Sequence, residues 1–200
     1  MRGLSALLAA VAACGGSPAP PAVYCPEPGT AAPAAAPVKA APSIKPADDE
    51  LAALAWLVGR WRGTGHGEPG DATVERSYRF VLRGRFLEVD DKSTYKPQPA
   101  NPQGEVHEDH GLISHDRGRK LLVLRQFHGE GFVNQYALDS ATDNTWVFES
   151  EAIENIPDGY RARETIRRLG PDRFEETFEI AEPDAAFAVY SQATLERVTN

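Results

Sequence analysis

Beyond residue 60, apolar and polar residues alternate along most of the chain. Successive side chains of a β-strand point to opposite faces, so this alternation predicts strands with one buried face. Turn signals rich in glycine, proline and aspartate separate the alternating runs. The pattern predicts about eight to ten short strands joined by hairpins. The rows assigned to the buried faces are Val74/Tyr78/Phe80/Leu82, Leu121/Val123/Arg125/Phe127, Phe132/Asn134/Tyr136/Leu138, Trp146/Phe148, Tyr160/Ala162/Glu164/Ile166 and Phe174/Glu176/Phe178/Ile180.

The segment before the strands has a different period. Leu51, Leu54 and Leu57 recur at helical spacing behind Asp48, a residue type that caps helix N-termini. We therefore predict a short helix that ends near Gly59. One helix followed only by strands argues against a βαβ protein. We predict an all-β fold, an antiparallel up-and-down β-barrel with a short N-terminal helix, and the same pattern also suits a β-sandwich.

The first residues have the features of an export signal. A cation, Arg2, precedes an apolar run that is too short to be a membrane-spanning helix. The sequence VAAC that ends at Cys14 resembles the lipobox of bacterial lipoproteins, which implies a signal peptide over residues 1–13 and a lipid anchor on Cys14. Gly15 resembles the sorting signal for the outer membrane, so we expect a lipid-anchored protein of the cell envelope that faces the periplasm. A plain signal peptide with an unrelated cysteine is the alternative.

Residues 14–47 are rich in alanine and proline and contain almost no large apolar side chains. Such a segment cannot bury a core, so we predict an extended tether. Cys25 lies in this tether and has no partner for a disulfide if Cys14 carries lipid. The folded domain is therefore predicted to span residues 48–200 and to form without a disulfide.

The charge balance narrows the range of partners. The chain has 29 acidic and 21 basic residues, a formal net charge of −8. Binding to nucleic acid depends on clustered lysine and arginine, so we expect no nucleic-acid partner. The expected membrane contact is the lipid on Cys14.

Residues 54–67, LAWLVGRWRGTGHG, combine two tryptophans with four glycines. A phosphate-binding loop connects a strand to a following helix, but here the order is helix, glycines, strand. We interpret the stretch as the first barrel strand, where glycines permit tight curvature and close approach of a backbone or a ligand. Trp61, Gly63, Thr64 and Gly65 are therefore candidate ligand contacts.

Three motifs resemble the nitrobindin-like family of calycin-type barrels. WLVGRWRGTGHG is similar to that family's opening W-L-x-G-x-W-x-G-x-G-x-G, HEDHGL to its H-x-E-x-G-Y segment, and YSQATLERV to its last strand, H-L-x-A-x-L-x-R. The resemblance covers residues 51–198 and implies a calycin-like barrel that binds haem b through a histidine of the last strand. Tyr190 stands at that position here, so the resemblance implies an altered axial ligand. Alternation alone places Tyr190 on the face of Gln192 and Thr194, opposite the more apolar row.

Histidines cluster in the segment HEDHGLISHD, and His107 and His110 are candidate ligand contacts. Three residues apart on one strand, these two point to opposite faces, whereas a catalytic zinc site needs three convergent ligands. We therefore expect no metal site. The chain also lacks a G-x-S-x-G nucleophile motif, which argues against a hydrolase.

Four polar residues interrupt the apolar rows: Arg125, Asn134, Glu164 and Glu176. Buried without partners they would cost several kcal/mol each, so they either pair with one another or meet a ligand. An internal network that only fixes strand register and a ligand site are equally compatible with the pattern. If the rows point inward, Arg125 is the expected anchor for an anionic or carbonyl group.

These expectations converge on an envelope lipoprotein whose barrel binds a small hydrophobic or amphipathic molecule without catalysis. One alternative is a haem-binding barrel with Tyr190 or a histidine as ligand. It would carry the nitric-oxide or peroxynitrite chemistry that the resemblance implies. The other is a barrel with a solid core that acts as a protein-interaction module. A filled interior would favour that last alternative.

Overall fold

A computed structural model describes residues 44–199 of the chain. The predicted signal peptide, the lipid anchor at Cys14, Cys25 and most of the predicted tether lie outside the described residues. No helix within residues 44–199 is long and apolar enough to cross a membrane.

The chain begins its fold with a short helix, as the sequence predicted. Helix α1 spans Asp49–Ala52, and the carboxylate of Asp48 caps it by accepting a hydrogen bond from the backbone N–H of Leu51 at 3.2 Å. A 3-10 turn, Ala55–Leu57, follows. The helical stretch ends there because Gly59 already belongs to the first strand. Leu51, Leu54 and Leu57 are fully buried.

Ten antiparallel strands form a closed barrel, which confirms the predicted fold class and excludes the sandwich. Each strand pairs with its neighbour in the sequence, and β1 pairs with β10 to close the ring. Closure leaves no edge strand exposed. The strands are β1 (Gly59–Gly67), β2 (Ala72–Val81), β3 (Phe86–Tyr95), β4 (Glu105–Asp116), β5 (Leu121–His128), β6 (Val133–Ala141), β7 (Thr145–Glu154), β8 (Arg161–Gly170), β9 (Arg173–Ala181) and β10 (Ala188–Arg197).

The helical segment and an aromatic cluster fill one end of the barrel. The ring of Trp61 packs edge-on against Phe174 with centroids 4.8 Å apart, and Trp56 lies 5.6 Å from Trp146. The indole N–H of Trp61 donates to the carbonyl of Leu57 at 2.6 Å, and the guanidinium of Arg197 lies 4.1 Å from the Trp61 ring centroid. These contacts fasten the helical segment under the strands and leave the opposite end of the barrel free for a cavity.

Gly63 lies where strands β1 and β10 approach each other closely. A Cβ atom at this position would lie 1.8 Å from the carbonyl oxygen of Thr194 in β10. No side chain fits there, so the missing Cβ lets β1 and β10 approach closely where the barrel closes.

Candidate functional site

A cavity of about 490 Å³ occupies the barrel interior. It opens at the end where β4 and β8 begin and β5 and β7 end, as its lining shows. An interior with this space is not the solid core of the protein-interaction alternative. Its walls are largely apolar, as expected for a small-molecule site; the apolar lining includes Val89, Ile113, Leu124, Ile153, Ile166 and Phe178.

Arg76 lies at the centre of a charged group in the cavity wall. Its Nε donates to Oε2 of Glu176 at 2.9 Å and lies 3.0 Å from Oδ1 of Asp91. The hydroxyl of Tyr78 donates to the other oxygen of Glu176 at 3.0 Å. Glu164 also lines this part of the cavity. We call Arg76, Asp91, Glu164 and Glu176 the Arg76 cluster.

The Arg76 cluster has one cation and three carboxyl groups. Desolvation by burial, with the neighbouring charge of Glu176, raises the pKa of Glu164 well above its ordinary value. Burial likewise raises the pKa of Asp91, to about 7, although Arg76 opposes that shift. Burial lowers the pKa of Arg76, but Asp91 and Glu176 more than compensate, so the guanidinium stays charged. The cluster therefore has a single positive charge for three carboxyl groups.

Two histidines and two carboxylates meet at the cavity mouth. His107 Nε2 lies 3.0 Å from Asp109 Oδ2 and its Nδ1 lies 2.6 Å from Glu130 Oε1. His128 Nδ1 lies 2.9 Å from Asp109 Oδ1. Strand register explains the meeting, because Asp109 of β4 stands directly opposite His128 of β5. We call His107, Asp109, His128 and Glu130 the mouth cluster.

Opposite charges stabilise one another within the mouth cluster. The hydrogen bond to Asp109, aided by Glu130, raises the pKa of His107 to about 9 despite its partial burial. Burial acts to raise the pKa of Asp109, but the hydrogen bond from His107 and the nearness of His128 outweigh it and lower that pKa to about 2. At neutral pH the imidazole of His107 is therefore protonated, with its two nitrogens facing the carboxylates of Asp109 and Glu130.

The structure brings only part of the predicted site together. Of the eight candidate ligand contacts, His107 and Tyr190 line the cavity. Trp61 belongs to the aromatic cluster, and Gly63 and Gly65 lie in the close-packed strand β1. Thr64 is exposed, and His110 points away from the cavity toward Asp90, with Nδ1 and Oδ1 2.8 Å apart.

The expected inward direction of Arg125 is wrong. Its side chain is exposed on the outer face of the barrel, because the row that lines the cavity is the alternate one, Leu124, Gln126 and His128. Phe127, in the same row as Arg125, is also exposed. By contrast Asn134, Glu164 and Glu176 all line the cavity.

A bulge in the last strand explains the position of Tyr190. Val189 stands opposite Glu179 but Ser191 stands opposite Phe178, so Tyr190 is an extra residue between them. Alternation alone placed it outward, but it lines the cavity at the rim, with its ring 5.9 Å from that of Phe178. A bulge re-aims the side chain that it inserts.

Sequence reasoning missed most of the two clusters, namely Arg76, Asp91, Asp109, His128 and Glu130. Arg76 occupies the gap in the inward row between Val74 and Tyr78, a signal that the alternation already contained. His128 and Asp109 became visible only when the register of β4 against β5 was known.

The fold and the cavity define the class of protein as a closed β-barrel built to hold a small molecule. Residues 50–197 match the THAP4-like, heme-binding beta-barrel domain. The chain belongs to that family, which confirms the resemblance to nitrobindin-like proteins.

A solved structure shares the fold, and a second one has a lower similarity. The crystal structure of Rv2717c from M. tuberculosis has a TM-score of 0.58 with this chain at 18% identity, covering 76% of this chain and 99% of that one. A redesigned beta barrel, b11L5F_LGL, has a TM-score of 0.40 at 14% identity, covering 74% of this chain and 96% of that one. Nothing among the curated proteins matches this sequence.

Tyr190 stands where the family resemblance places the haem-binding histidine, and His107 and His128 also line the cavity. Tyr190 lines the cavity, and tyrosine ligates ferric haem in catalase. The apolar walls suit a porphyrin ring, so the residues fit a ferric haem at the rim. Burial and the carboxylates of Glu105, Glu68 and Glu130 raise the pKa of the Tyr190 phenol, so an iron would bind in competition with its proton.

Proposed function

We propose that the barrel binds a small amphipathic molecule whose polar end carries a positive charge. The observation that carries this proposal is the composition of the Arg76 cluster, one guanidinium among three carboxyl groups, of which Glu176 is buried and Asp91 and Glu164 are half-buried. The apolar body of the ligand packs on the walls of the cavity, and its cationic end reaches the carboxyl of Glu164. The proposal concerns binding without chemical change of the ligand.

The contacts of Arg76 leave Glu164 available to a ligand. Arg76 is committed to Asp91 and Glu176, so within the described residues no ion pair holds Glu164. A buried carboxyl without a cation keeps its proton, and a ligand cation would take the proton's place. The ligand therefore supplies the charge that the protein lacks. This reverses the expectation of an anionic group, which rested on Arg125.

Octylammonium is a suitable probe because its eight-carbon chain is apolar and its amine stays charged well above neutral pH. We expect calorimetry with the full chain at pH 8 to show saturable binding. Glu164→Gln should weaken that binding about tenfold or more, since a hydrogen bond between charged groups contributes about 1.5–3 kcal/mol.

The matched control for this experiment is Glu149→Gln. Glu149 lies next to the inward Phe148, on the outer face of β7, where it accepts a hydrogen bond from Arg163 at 3.2 Å. This variant should bind octylammonium like the unmodified chain. Equal affinities in all three proteins would contradict the proposed role of Glu164.

Haem is the second candidate, favoured by family membership and by the position of Tyr190 in the cavity lining. In this case the iron would be held by the Tyr190 phenolate and the ring by the apolar walls. Titration of the full chain with haemin should then give a stoichiometric Soret band that Tyr190→Phe shifts or abolishes. If no such band forms, haem is not the ligand.

We also propose that lipid on Cys14 holds the barrel at the cell envelope, at the outer membrane. Support comes from the lipobox-like sequence ending at Cys14 and from the glycine that follows it. Cys14→Ser should release the protein from the membrane fraction of cells that express the full chain. If the unmodified chain is already found in the soluble fraction, the proposed lipid anchor on Cys14 is wrong.

A further inference from the structure

We infer that the mouth cluster is a binding site for a first-row divalent metal ion of the zinc type. The four side chains His107, Asp109, His128 and Glu130 each offer one ligand atom, and these atoms lie within 4.8 Å of one another. Two imidazoles and two carboxylates form a set that suits zinc and its neighbours better than magnesium or calcium, which prefer oxygen ligands alone.

The fold fixes these four side chains independently of any ion. His107 and Asp109 are two residues apart on β4 and so share a face, while His128 ends β5 opposite Asp109. Glu130 lies in the turn after β5. That turn is held by the Gly129 N–H on the carbonyl of Glu108 at 3.0 Å and by the Gly131 N–H on the carbonyl of His128 at 2.9 Å. The site is thus preformed on β4, β5 and the tight turn that connects β5 to β6.

Two buried atoms of the cluster lack hydrogen-bond partners. The side chains of His128 and Asp109 are only 5% and 8% exposed. Nδ1 of His128 and Oδ1 of Asp109 lie within ion-pair distance, but they are not aligned for a hydrogen bond. Neither atom has another partner within residues 44–199. Buried polar atoms left in this way are costly, and a cation between them would satisfy both.

The residues behind His128 prepare Nδ1 for a metal. Phe132 stacks on the imidazole with ring centroids 4.0 Å apart, which fixes the ring plane. The carboxamide of Asn134 contacts Nε2 of His128 at 3.2 Å and the hydroxyl of Tyr136 at 2.7 Å.

A 180° flip of the Asn134 carboxamide would exchange its nitrogen and oxygen. The oxygen would then accept hydrogen bonds from the Tyr136 hydroxyl and from a protonated Nε2 of His128. The proton would then sit on Nε2 and the lone pair on Nδ1, facing Asp109. A second-layer hydrogen bond of this kind orients most metal-bound histidines.

His110 distinguishes this site from ordinary histidine–carboxylate pairs. It belongs to the same strand and also contacts a carboxylate, Asp90, at 2.8 Å. Its side chain is 45% exposed and points outward. A surface pair of this kind has water for its remaining hydrogen bonds and needs no ion.

The test is calorimetric titration of the metal-stripped full chain with zinc chloride. Cys14 and Cys25 are changed to serine in every sample, so that their thiols do not bind the metal. We expect one zinc ion at the mouth cluster, with protons released on binding because a metal displaces the ligands' protons. A second group of possible ligands, Asp48, Glu50 and His115, is unchanged in every variant. His128→Gln and Glu130→Gln should each weaken binding at least about tenfold, and His110→Gln should leave it unchanged.

Two features keep this test decisive. Glu130 is 53% exposed, so its substitution tests the site even if His128→Gln does not fold. The octylammonium experiment depends on the Arg76 cluster, so the two proposals fail separately. Absence of stoichiometric zinc binding, or equal binding by the Glu130→Gln and His110→Gln variants, would overturn the inference.

Discussion

Glu164 lowers the stability of the free barrel and, in the proposed function, binds the ligand. Its carboxyl lies in the cavity wall, where the charged groups that act on it most strongly are Glu176, Arg76, Asp91 and Asp109. Burial and the carboxylate neighbours make its ionised form unfavourable. A residue held in this way is useful when a ligand needs it and costly when none is bound.

Replacing Glu164 by glutamine should therefore stabilise the free protein above neutral pH. The folded-state pKa of Glu164 lies above its unfolded value of 4.5, so the folded state keeps a proton that the unfolded chain releases. The free energy of unfolding of the natural chain then falls as pH rises above the unfolded pKa. The Glu164→Gln variant has no carboxyl at this position, so its free energy of unfolding does not fall for this reason. Melting temperatures should agree near pH 4.5 and favour the variant increasingly toward pH 8.

Equal melting temperatures of the two proteins at pH 8 would contradict this account of Glu164. Glu149→Gln serves again as the control, because its carboxylate lies on the outer face beside Arg163. Its melting temperature should follow that of the natural chain across the same pH range.

At the level of single residues, the sequence pattern located the polar side chains among the apolar rows, but it did not always show which of them face the cavity. Asn134, Glu164 and Glu176 were selected because they interrupt apolar rows, and all three line the cavity. Arg125 was selected by the same argument and lies outside. Its strand has apolar residues on both faces, since Val123 is buried as well as Leu122 and Leu124, so alternation could not decide which row points inward.

Strands β1 and β10 close the barrel, and glycine makes their contact possible. Gly63→Ala should destabilise the protein by about 1–3 kcal/mol or more, because the added methyl group meets the Thr194 carbonyl. Gly170→Ala is the matched control, since a Cβ at Gly170 has no neighbour within 4 Å. Urea unfolding should show a lower midpoint for Gly63→Ala alone, and equal midpoints would contradict the close-contact explanation.

The elements were predictable because their periods are clear and their turns are short. The helix, the strand count and the up-and-down order follow from an apolar repeat that changes once, from helical spacing to alternation. The bulge at Tyr190 was not predictable, since an inserted residue shifts the register without changing composition. That one insertion decides whether Tyr190 faces the cavity.

The whole barrel separates two tasks along its axis. The helical segment and the cluster around Trp61 pack one end and supply stability. The other end holds the cavity, the Arg76 cluster and the mouth cluster. The sequence pattern predicted a barrel but also suited a sandwich, and both closure into a ring and the meeting of distant residues such as Arg76 and Glu176 required the three-dimensional register.

We expect the cavity to select a cationic head group. Calorimetry with the full-length protein at pH 8 compares octylammonium, octanol and nonanoate, which share an eight-carbon apolar chain. Octylammonium should bind at least about tenfold more tightly than octanol, and nonanoate should bind most weakly. Equal affinities, or a preference for nonanoate, would contradict the role assigned to the carboxyl groups of the Arg76 cluster.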